Sequence, residues 1–155
     1  MRDCLLKVKG ILLDLDGTII DTRDAYLEAA KNAFASLGQK VPDYTTALEI
    51  PKRIEQRLPV IDLIDIEPKT FLNAYLKAFY DLPKGKTKPL PYVMNALEEL
   101  SYRAKLAIVT MRSVSKEFVM NELKQFNIDR YFDHVITALD TAKPKPSPEA
   151  LFKTV

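Results

Sequence analysis

The chain has 155 residues, of which 47% are hydrophobic and 28% charged, so it is not disordered, collagen-like or of low complexity. Its formal net charge of +2 favours neither a nucleic acid nor a membrane as a partner. The single cysteine, Cys4, rules out a disulfide within the chain and is typical of a reducing compartment, which predicts a cytoplasmic protein. No apolar run reaches the roughly 20 residues that cross a bilayer, and residues 1–10 are too charged for a signal peptide.

The first predicted element is a buried β-strand over about residues 8–15. Its apolar run from Ile11 to Leu13 lies close to glycines on both sides, which is typical of a strand in a parallel sheet. Apolar residues then recur at helical spacing from Tyr26 to Leu37 and from Phe71 to Phe79. Because no strand pattern interrupts this stretch, we predict that residues 20–87 form an all-helical insertion.

The second half of the chain alternates predicted helices with predicted strands. These elements lie, in order, around residues 93–100, 106–109, 119–126 and 134–138, with a further helix opening at Ser147. Such alternation predicts right-handed crossovers and a parallel sheet. The predicted fold is therefore α/β, with a Rossmann-like parallel sheet core of about three strands. This core comprises residues 1–19 and 88–155.

Two acidic residues follow the first predicted strand. Asp14 and Asp16 lie at its carboxyl end, where ligands bind in open α/β sheets, and Gly17 allows a sharp turn there. Two carboxylates held close together can form a cation site, or a nucleophile beside a general acid and base. Taken alone, the same residues are also compatible with two surface acids that cap a turn.

A hydroxyl and a lysine follow the next two predicted strands. Thr110 ends the second strand, where it can either donate to a phosphoryl oxygen or simply close the strand. The segment 143–149 alternates lysine with proline, which keeps the backbone extended and fixes where a lysine points. Beside the two aspartates, a fixed ammonium would offset the charge of a phosphate. Without them, the segment is only a rigid loop that leads into a helix.

Taken together, these strand ends resemble the haloacid dehalogenase superfamily of phosphatases and phosphotransferases. The family's Asp-x-Asp-Gly-Thr motif stands as residues 14–18, its hydroxyl motif as Thr110, and its Lys-Pro-x-Pro-acid motif as residues 145–149. Lys143 is the second choice for the lysine of this motif, because Glu149 is then farther along the chain from the lysine than the motif allows. Tyr131-Phe132-Asp133, before the third strand, also looks like family members.

The resemblance implies a Mg²⁺-dependent phosphomonoesterase of phosphoglycolate-phosphatase type, which acts on a small phosphorylated metabolite. Asp14 would be the nucleophile that forms an aspartyl-phosphate, and Asp16 the general acid and then the general base. Thr110, Lys145 and Gly17 would bind the phosphate. The Asp14 carboxylate and the Asp16 carbonyl would hold the magnesium ion.

Two departures from the family pattern affect these expectations. The family has a fourth strand whose acidic pair supplies a further ligand to Mg²⁺, and Glu149 is the only acid that follows Lys145 here. We therefore expect a truncated chain, or a second chain that completes the sheet, with self-association through the open edge of the first strand. Met111 is the second departure, because many relatives have asparagine after the hydroxyl residue.

Other functions remain open at this stage. The insertion 20–87 resembles the family's helical cap, and a sugar phosphomutase would use the same core and cap. A catalytically impaired fragment that acts only as a binding or assembly module is a further alternative. A dehalogenase is disfavoured, since it has no use for Asp16.

Arg53 and Arg57 lie one helical turn apart in the sequence. They either bind an anionic group of the substrate or lie on a solvated helix face, and we favour the solvated face.

Overall fold

The computed structural model describes residues 7–56, 58–83, 85–143 and 145–154. Cys4, Arg57 and Pro144 lie outside these ranges. The elements are, in chain order, β1 (Gly10–Leu13), β2 (Ile20–Asp21), α1 (Arg23–Ser36), α2 (Tyr44–Gln56), α3 (Pro68–Tyr80), β3 (Lys88–Pro89), α4 (Val93–Ser101), β4 (Lys105–Val109), α5 (Lys116–Gln125), β5 (Phe132–Ile136) and α6 (Glu149–Thr154). Within the described ranges, no helix is long and apolar enough to cross a membrane.

The chain divides into two compact units. The first consists of the residues up to Ile20 and from Pro89 onward, and the second is Asp21–Lys88. The first unit contains a parallel sheet in the order β1-β4-β5, so the predicted α/β fold with about three parallel strands is confirmed. In the part of the chain that the structure describes, β1 pairs only with β4 and thus lies at an edge of the sheet.

The core of the first unit explains why its strands form where they do. Apolar residues of β4 pair with residues of both flanking strands. Ile108 lies opposite Leu13 of β1, and Val109 lies opposite Ile136 of β5. Fully buried Ile108 contacts the apolar faces of the helices through a cluster that includes Leu97 and Leu123. The cluster keeps β4 central, so the carboxyl ends of β1 and β4 lie side by side.

Two predicted strand boundaries were wrong. The first strand ends at Leu13 rather than near residue 15, because the chain turns immediately after it. The third strand is Phe132–Ile136 rather than 134–138. It ends early because the Thr137 N–H donates to the Asp140 carboxylate at 2.8 Å, and such local bonds compete with strand pairing.

The second unit consists mainly of three helices packed through small and aromatic side chains. Buried Ala29 and Ala33 on α1 allow neighbouring helices to approach closely, and Phe34 packs on Phe71 of α3 with ring centroids 5.0 Å apart. The residues at the start of the predicted all-helical insertion are not helical, since β2 pairs with β3. Strands of two residues carry no periodic pattern, so the sequence could not reveal them.

Acid is expected to weaken the start of this second unit through Asp21. This residue is 8% exposed and accepts from Arg23 at 2.9 Å (Nε) and 2.7 Å (Nη2). These bonds with the Arg23 guanidinium, opposed by burial, lower the pKa of Asp21 to about 2. Stability from this pair is therefore fully present above the ordinary carboxyl pKa and is lost as the pH falls from about 4 to about 2.

Unfolding temperatures measured between pH 2 and pH 5 test this expectation. The Asp21→Asn variant should lose part of the pH dependence in this window. The effect should stay below about 1 kcal/mol, because Arg23 is exposed and its charge is screened. Asp24→Asn, which removes an exposed acid from the first turn of α1, is the matched control. An Asp21→Asn curve that follows the wild-type curve throughout would contradict the assignment.

Candidate active site

The loop after β1 holds the two predicted catalytic aspartates on either side of a fully buried residue. Leu15 is 0% exposed, and its carbonyl oxygen accepts from the N–H groups of Ile19 (2.9 Å) and Ile20 (3.0 Å). Gly17 has a φ of +75°, a conformation that residues with a side chain rarely adopt. Its N–H donates to the Ile20 carbonyl at 2.8 Å. Phosphate binding by Gly17 stays a prediction. The observed role of Gly17 is to close the turn that holds the aspartates.

Lys145 and Asp14, which are 131 residues apart in sequence, are in direct contact. The Lys145 ammonium donates to Asp14 Oδ1 at 2.6 Å and to the carbonyl oxygen of Val109 at 2.9 Å. The two side chains remain accessible, with 45% of Asp14 and 30% of Lys145 exposed. This places an accessible carboxylate, a cation and the carboxyl end of β4 at one edge of the sheet.

The loop that carries Lys145 is braced by Glu149 at the start of α6. The Glu149 carboxylate accepts from the backbone N–H groups of Ala142 (3.0 Å) and Lys143 (2.9 Å). These two bonds and the nearby Lys153 hold the pKa of Glu149 below its usual range. Lys143, the second choice for the phosphate-binding lysine, is exposed, and its backbone serves this brace. The acid of the Lys-Pro-x-Pro-acid segment thus orients the loop, and Lys145 is the lysine that contacts Asp14.

Thr110 directly follows β4 and is 3% exposed. Its N–H donates to the Ile136 carbonyl at 2.9 Å, and its hydroxyl oxygen accepts from the Arg112 N–H at 3.2 Å. A hydroxyl that accepts one bond in this way still has its own hydrogen to donate. The structure therefore places the predicted hydroxyl next to Val109, the residue whose carbonyl binds Lys145.

Asp16 has a different cationic partner, which the sequence reasoning missed. Arg112 binds both Asp16 carboxylate oxygens, with Nε 2.9 Å from Oδ2 and Nη2 2.7 Å from Oδ1. Its Nη1 donates to Glu122 of α5. The side chains of Arg112 and Asp16 are only 5% and 11% exposed. Asp14 and Asp16 thus differ in both their partner and their accessibility.

The electrostatic balance of this cluster explains how a buried arginine is tolerated. Burial opposes the charge of Arg112, but the bonds to Asp16 and the field of Glu122 outweigh it and raise the pKa of Arg112. The guanidinium therefore stays charged between two carboxylates. The signal that could have identified Arg112 is its position two residues beyond Thr110, at the end of a strand that already carries a candidate residue.

The residues present are compatible with a magnesium ion, although they do not surround one. The Asp14 carboxylate is accessible and is a hard oxygen ligand, as Mg²⁺ prefers. Within the described ranges, no group of three His, Cys, Asp or Glu side chains could hold a metal ion. Any such ion would therefore take further ligands from backbone oxygens, water or a bound phosphate.

Arg53 and His134 each have local surroundings of their own. Arg53 in the second unit binds Asp62 at 2.6 Å and Glu49 at 3.3 Å, with 23% of its side chain exposed. It serves a local ion-pair network rather than a freely solvated face. His134 is exposed on β5.

Comparison with known proteins identifies relatives along nearly the whole chain. A family model described as haloacid dehalogenase-like hydrolase matches residues 11–155. The phosphoglycolate phosphatase of Aquifex aeolicus is 30% identical over 153 residues, which cover 96% of this chain and 69% of that protein. A phosphorylated carbohydrates phosphatase of Thermotoga maritima is 27% identical, with coverage of 92% and 67%.

A solved structure shows the same fold. The haloacid dehalogenase-like family hydrolase of Streptococcus pneumoniae matches with a TM-score of 0.73 at 21% sequence identity. The match covers 96% of this chain and 69% of that one. Both curated relatives and this structure are longer than the present chain, which spans about two thirds of each.

Proposed function

This chain belongs to the haloacid dehalogenase-like hydrolase family, and on that premise we propose that it is a Mg²⁺-dependent phosphatase of small phosphate monoesters. Membership confirms the resemblance drawn from the sequence motifs. The observation that carries the proposal is the 2.6 Å contact between Lys145 and the accessible carboxylate of Asp14. A carboxylate that attacks phosphorus needs a cation at hand to offset the phosphoryl charge. The relatives named as phosphatases of phosphoglycolate and of phosphorylated carbohydrates support this substrate class.

In the proposed reaction, Asp14 is the nucleophile. One of its carboxylate oxygens bonds to phosphorus while the bond from phosphorus to the leaving oxygen breaks, which yields an aspartyl-phosphate. The support for this role is that Asp14 is the more accessible of the two carboxylates, since 45% of its side chain is exposed. A nucleophile must be reached by the substrate, whereas a proton-transfer group can act from a more buried position.

Asp16 is the proposed general acid and base. It gives a proton to the departing oxygen, and it then takes a proton from the water that attacks the aspartyl-phosphate. That second attack releases inorganic phosphate and restores both aspartates. The closed turn around Leu15 supports this pairing of roles, because it holds the two residues in one short, rigid loop.

Thr110 and Lys145 are the proposed phosphate-binding residues. The Thr110 hydroxyl accepts from the Arg112 N–H, so its own hydrogen can point toward a phosphoryl oxygen. The Lys145 ammonium is anchored on the Val109 carbonyl at 2.9 Å, which leaves it able to share its charge with a phosphate beside Asp14. Both groups would favour the transition state, in which charge builds on the phosphoryl oxygens.

Magnesium completes the proposal. The Asp14 carboxylate and the Asp16 backbone carbonyl would hold it, with waters and phosphate oxygens as the other ligands. When bound, the ion supplies charge neutralisation at the phosphoryl group.

We further propose that the unit Asp21–Lys88 is a cap that selects the leaving group, because it is mainly helical and has its own apolar core. A cytoplasmic location remains a prediction.

Phosphate release from a panel of esters tests the function. The purified chain should hydrolyse p-nitrophenyl phosphate, phosphoglycolate or a hexose phosphate when Mg²⁺ is present, and EDTA should remove this activity. Adding Mg²⁺ back is the control for nonspecific damage by the chelator. Activity that persists without any divalent cation would contradict the magnesium site. Complete inactivity toward the whole panel would instead favour the binding-module alternative.

A further inference from the structure

We propose that Arg112 is a positioning residue that fixes the Asp16 carboxylate in one orientation, and that Glu122 in turn fixes Arg112. The catalytic consequence rests on the function proposed above, whereas the clamp itself is a property of the fold. All three residues lie in the first unit, on the β1 loop, on the segment after β4 and on α5.

The first argument is the two-point contact. Arg112 Nε and Nη2 each bind a different oxygen of Asp16, at 2.9 Å and 2.7 Å. A planar guanidinium that meets a carboxylate through two bonds sets the plane of the carboxylate as well as its distance. A single ammonium contact, such as the one from Lys145 to Asp14, leaves that plane free. The clamp therefore acts on the residue whose orientation matters most for proton transfer.

The second argument is that Arg112 is itself fixed at both ends. Its guanidinium Nη1 donates to Glu122, and 95% of its side chain is shielded, since only 5% is exposed. Its N–H donates to the Thr110 hydroxyl at 3.2 Å, and its carbonyl oxygen accepts from the Ala138 N–H at 3.0 Å. A side chain that is held in this way can transmit a defined geometry to its partner.

The third argument is charge. Asp16 and Glu122 are 11% and 14% exposed, and both face the same guanidinium. Without Arg112, two poorly solvated carboxylates would remain close together and would be driven apart. The loss of Arg112 should therefore move Asp16, not merely remove one contact.

A kinetic double-mutant cycle tests the positioning role. Arg112→Ala should lower kcat about 10- to 100-fold, within the range of general acid–base catalysis, while KM changes little. Combining it with Asp16→Asn should cause no loss beyond that of Asp16→Asn alone, because both changes act on one proton transfer. Arg112→Lys should restore only part of the rate, since one ammonium cannot form the two-point contact. Additive losses would overturn the proposal.

A comparison of two substrates gives a second measurement, which would not change if the role of Arg112 were only structural. Glycerol phosphate has a poor leaving group that needs a proton, whereas p-nitrophenyl phosphate has a good one. Arg112→Ala should therefore impair hydrolysis of glycerol phosphate more than that of p-nitrophenyl phosphate. Arg103→Ala, which removes an exposed arginine of the same unit, should affect neither substrate. Because Asp16 is also the proposed base of the second step, which both esters share, the comparison is made on the first step in a single turnover. Equal loss of that step on both esters would contradict a role that acts through Asp16.

An unfolding cycle tests the clamp independently of activity. The fall in unfolding temperature for Arg112→Ala combined with Asp16→Asn should be smaller than the sum of the single falls, because both variants break the same pair. Glu122→Gln should lower the unfolding temperature less than Arg112→Ala does. Strict additivity would refute the clamp even in an inactive protein. If the wild type hydrolyses no ester while the pair is coupled, only the proposed phosphatase function fails.

Discussion

Replacing Asp14 with asparagine is expected to abolish phosphatase activity while the protein stays folded. The amide cannot attack phosphorus, and losing a nucleophile can cost on the order of 10⁶-fold in kcat. The fold should survive, because 45% of the Asp14 side chain is exposed and its observed partner, Lys145, is also accessible. Phosphate release and circular dichroism, measured on the same preparation, check both halves of the expectation.

The covalent intermediate gives a second measurement for Asp14. Acid quenching with ³²P-labelled substrate should leave label on the wild-type protein and none on Asp14→Asn. Asp133→Asn, which removes an exposed acid on β5, is the matched control and should keep both the label and the activity. Turnover by Asp14→Asn above the background of a mock purification would contradict the role of Asp14 as the nucleophile.

Replacing Lys145 with alanine should have the next largest effect. Removing one group that stabilises charge in the transition state costs about 10²- to 10³-fold in kcat. Lys145 contacts both Asp14 Oδ1 and the Val109 carbonyl, so its loss also frees the nucleophile from its anchor. Inorganic phosphate should inhibit the variant more weakly than it inhibits the wild type, because the same ammonium binds the product.

Lys143→Ala is the matched control, since it removes the neighbouring lysine from the same loop. Lys143 is exposed, and only its backbone N–H takes part in the Glu149 brace, so this variant should retain most of the activity. A larger loss in Lys143→Ala than in Lys145→Ala would reverse the choice between the two lysines. Comparable small losses in both would remove lysine from the proposed phosphate site.

The strand-end motifs could be predicted from the sequence because each depends on a short, local pattern. An apolar run followed by Asp14-Leu15-Asp16-Gly17 predicts both a buried strand and a turn that needs glycine. Thr110 follows a second apolar run in the same way. Parallel strands bring their carboxyl ends to one edge, so their order alone implied that these residues would meet.

The contact between Lys145 and Asp14 could be seen only in the tertiary structure. Lys143 and Lys145 share a proline-rich loop, and the sequence favoured Lys145 only through the spacing of the acid. In the folded chain, the Glu149 carboxylate binds the N–H groups of Ala142 and Lys143, and the ammonium of Lys145 reaches Asp14. That contact depends on where α6 begins relative to β1, which no local pattern encodes.

The short strand pair β2 and β3 and the early end of β5 show the same limit. Pairing between two-residue strands depends on which backbone groups happen to lie opposite each other. The end of β5 depends on a local competition, since Thr137 bonds to Asp140 instead of extending the strand. Neither event changes the apolar periodicity, and periodicity was the main guide to the elements.

The sequence by itself determined the α/β fold, the family and the loops on which the catalytic candidates stand, because apolar periodicity and short motifs are local signals. Only the tertiary structure decided how the charges are paired. Arg112 lies 96 residues from Asp16 in the chain, and the direction of its long side chain depends on the burial that α5 and the β1 loop create together. A buried guanidinium takes the partners that surround it, and those partners are brought together only when the chain has folded.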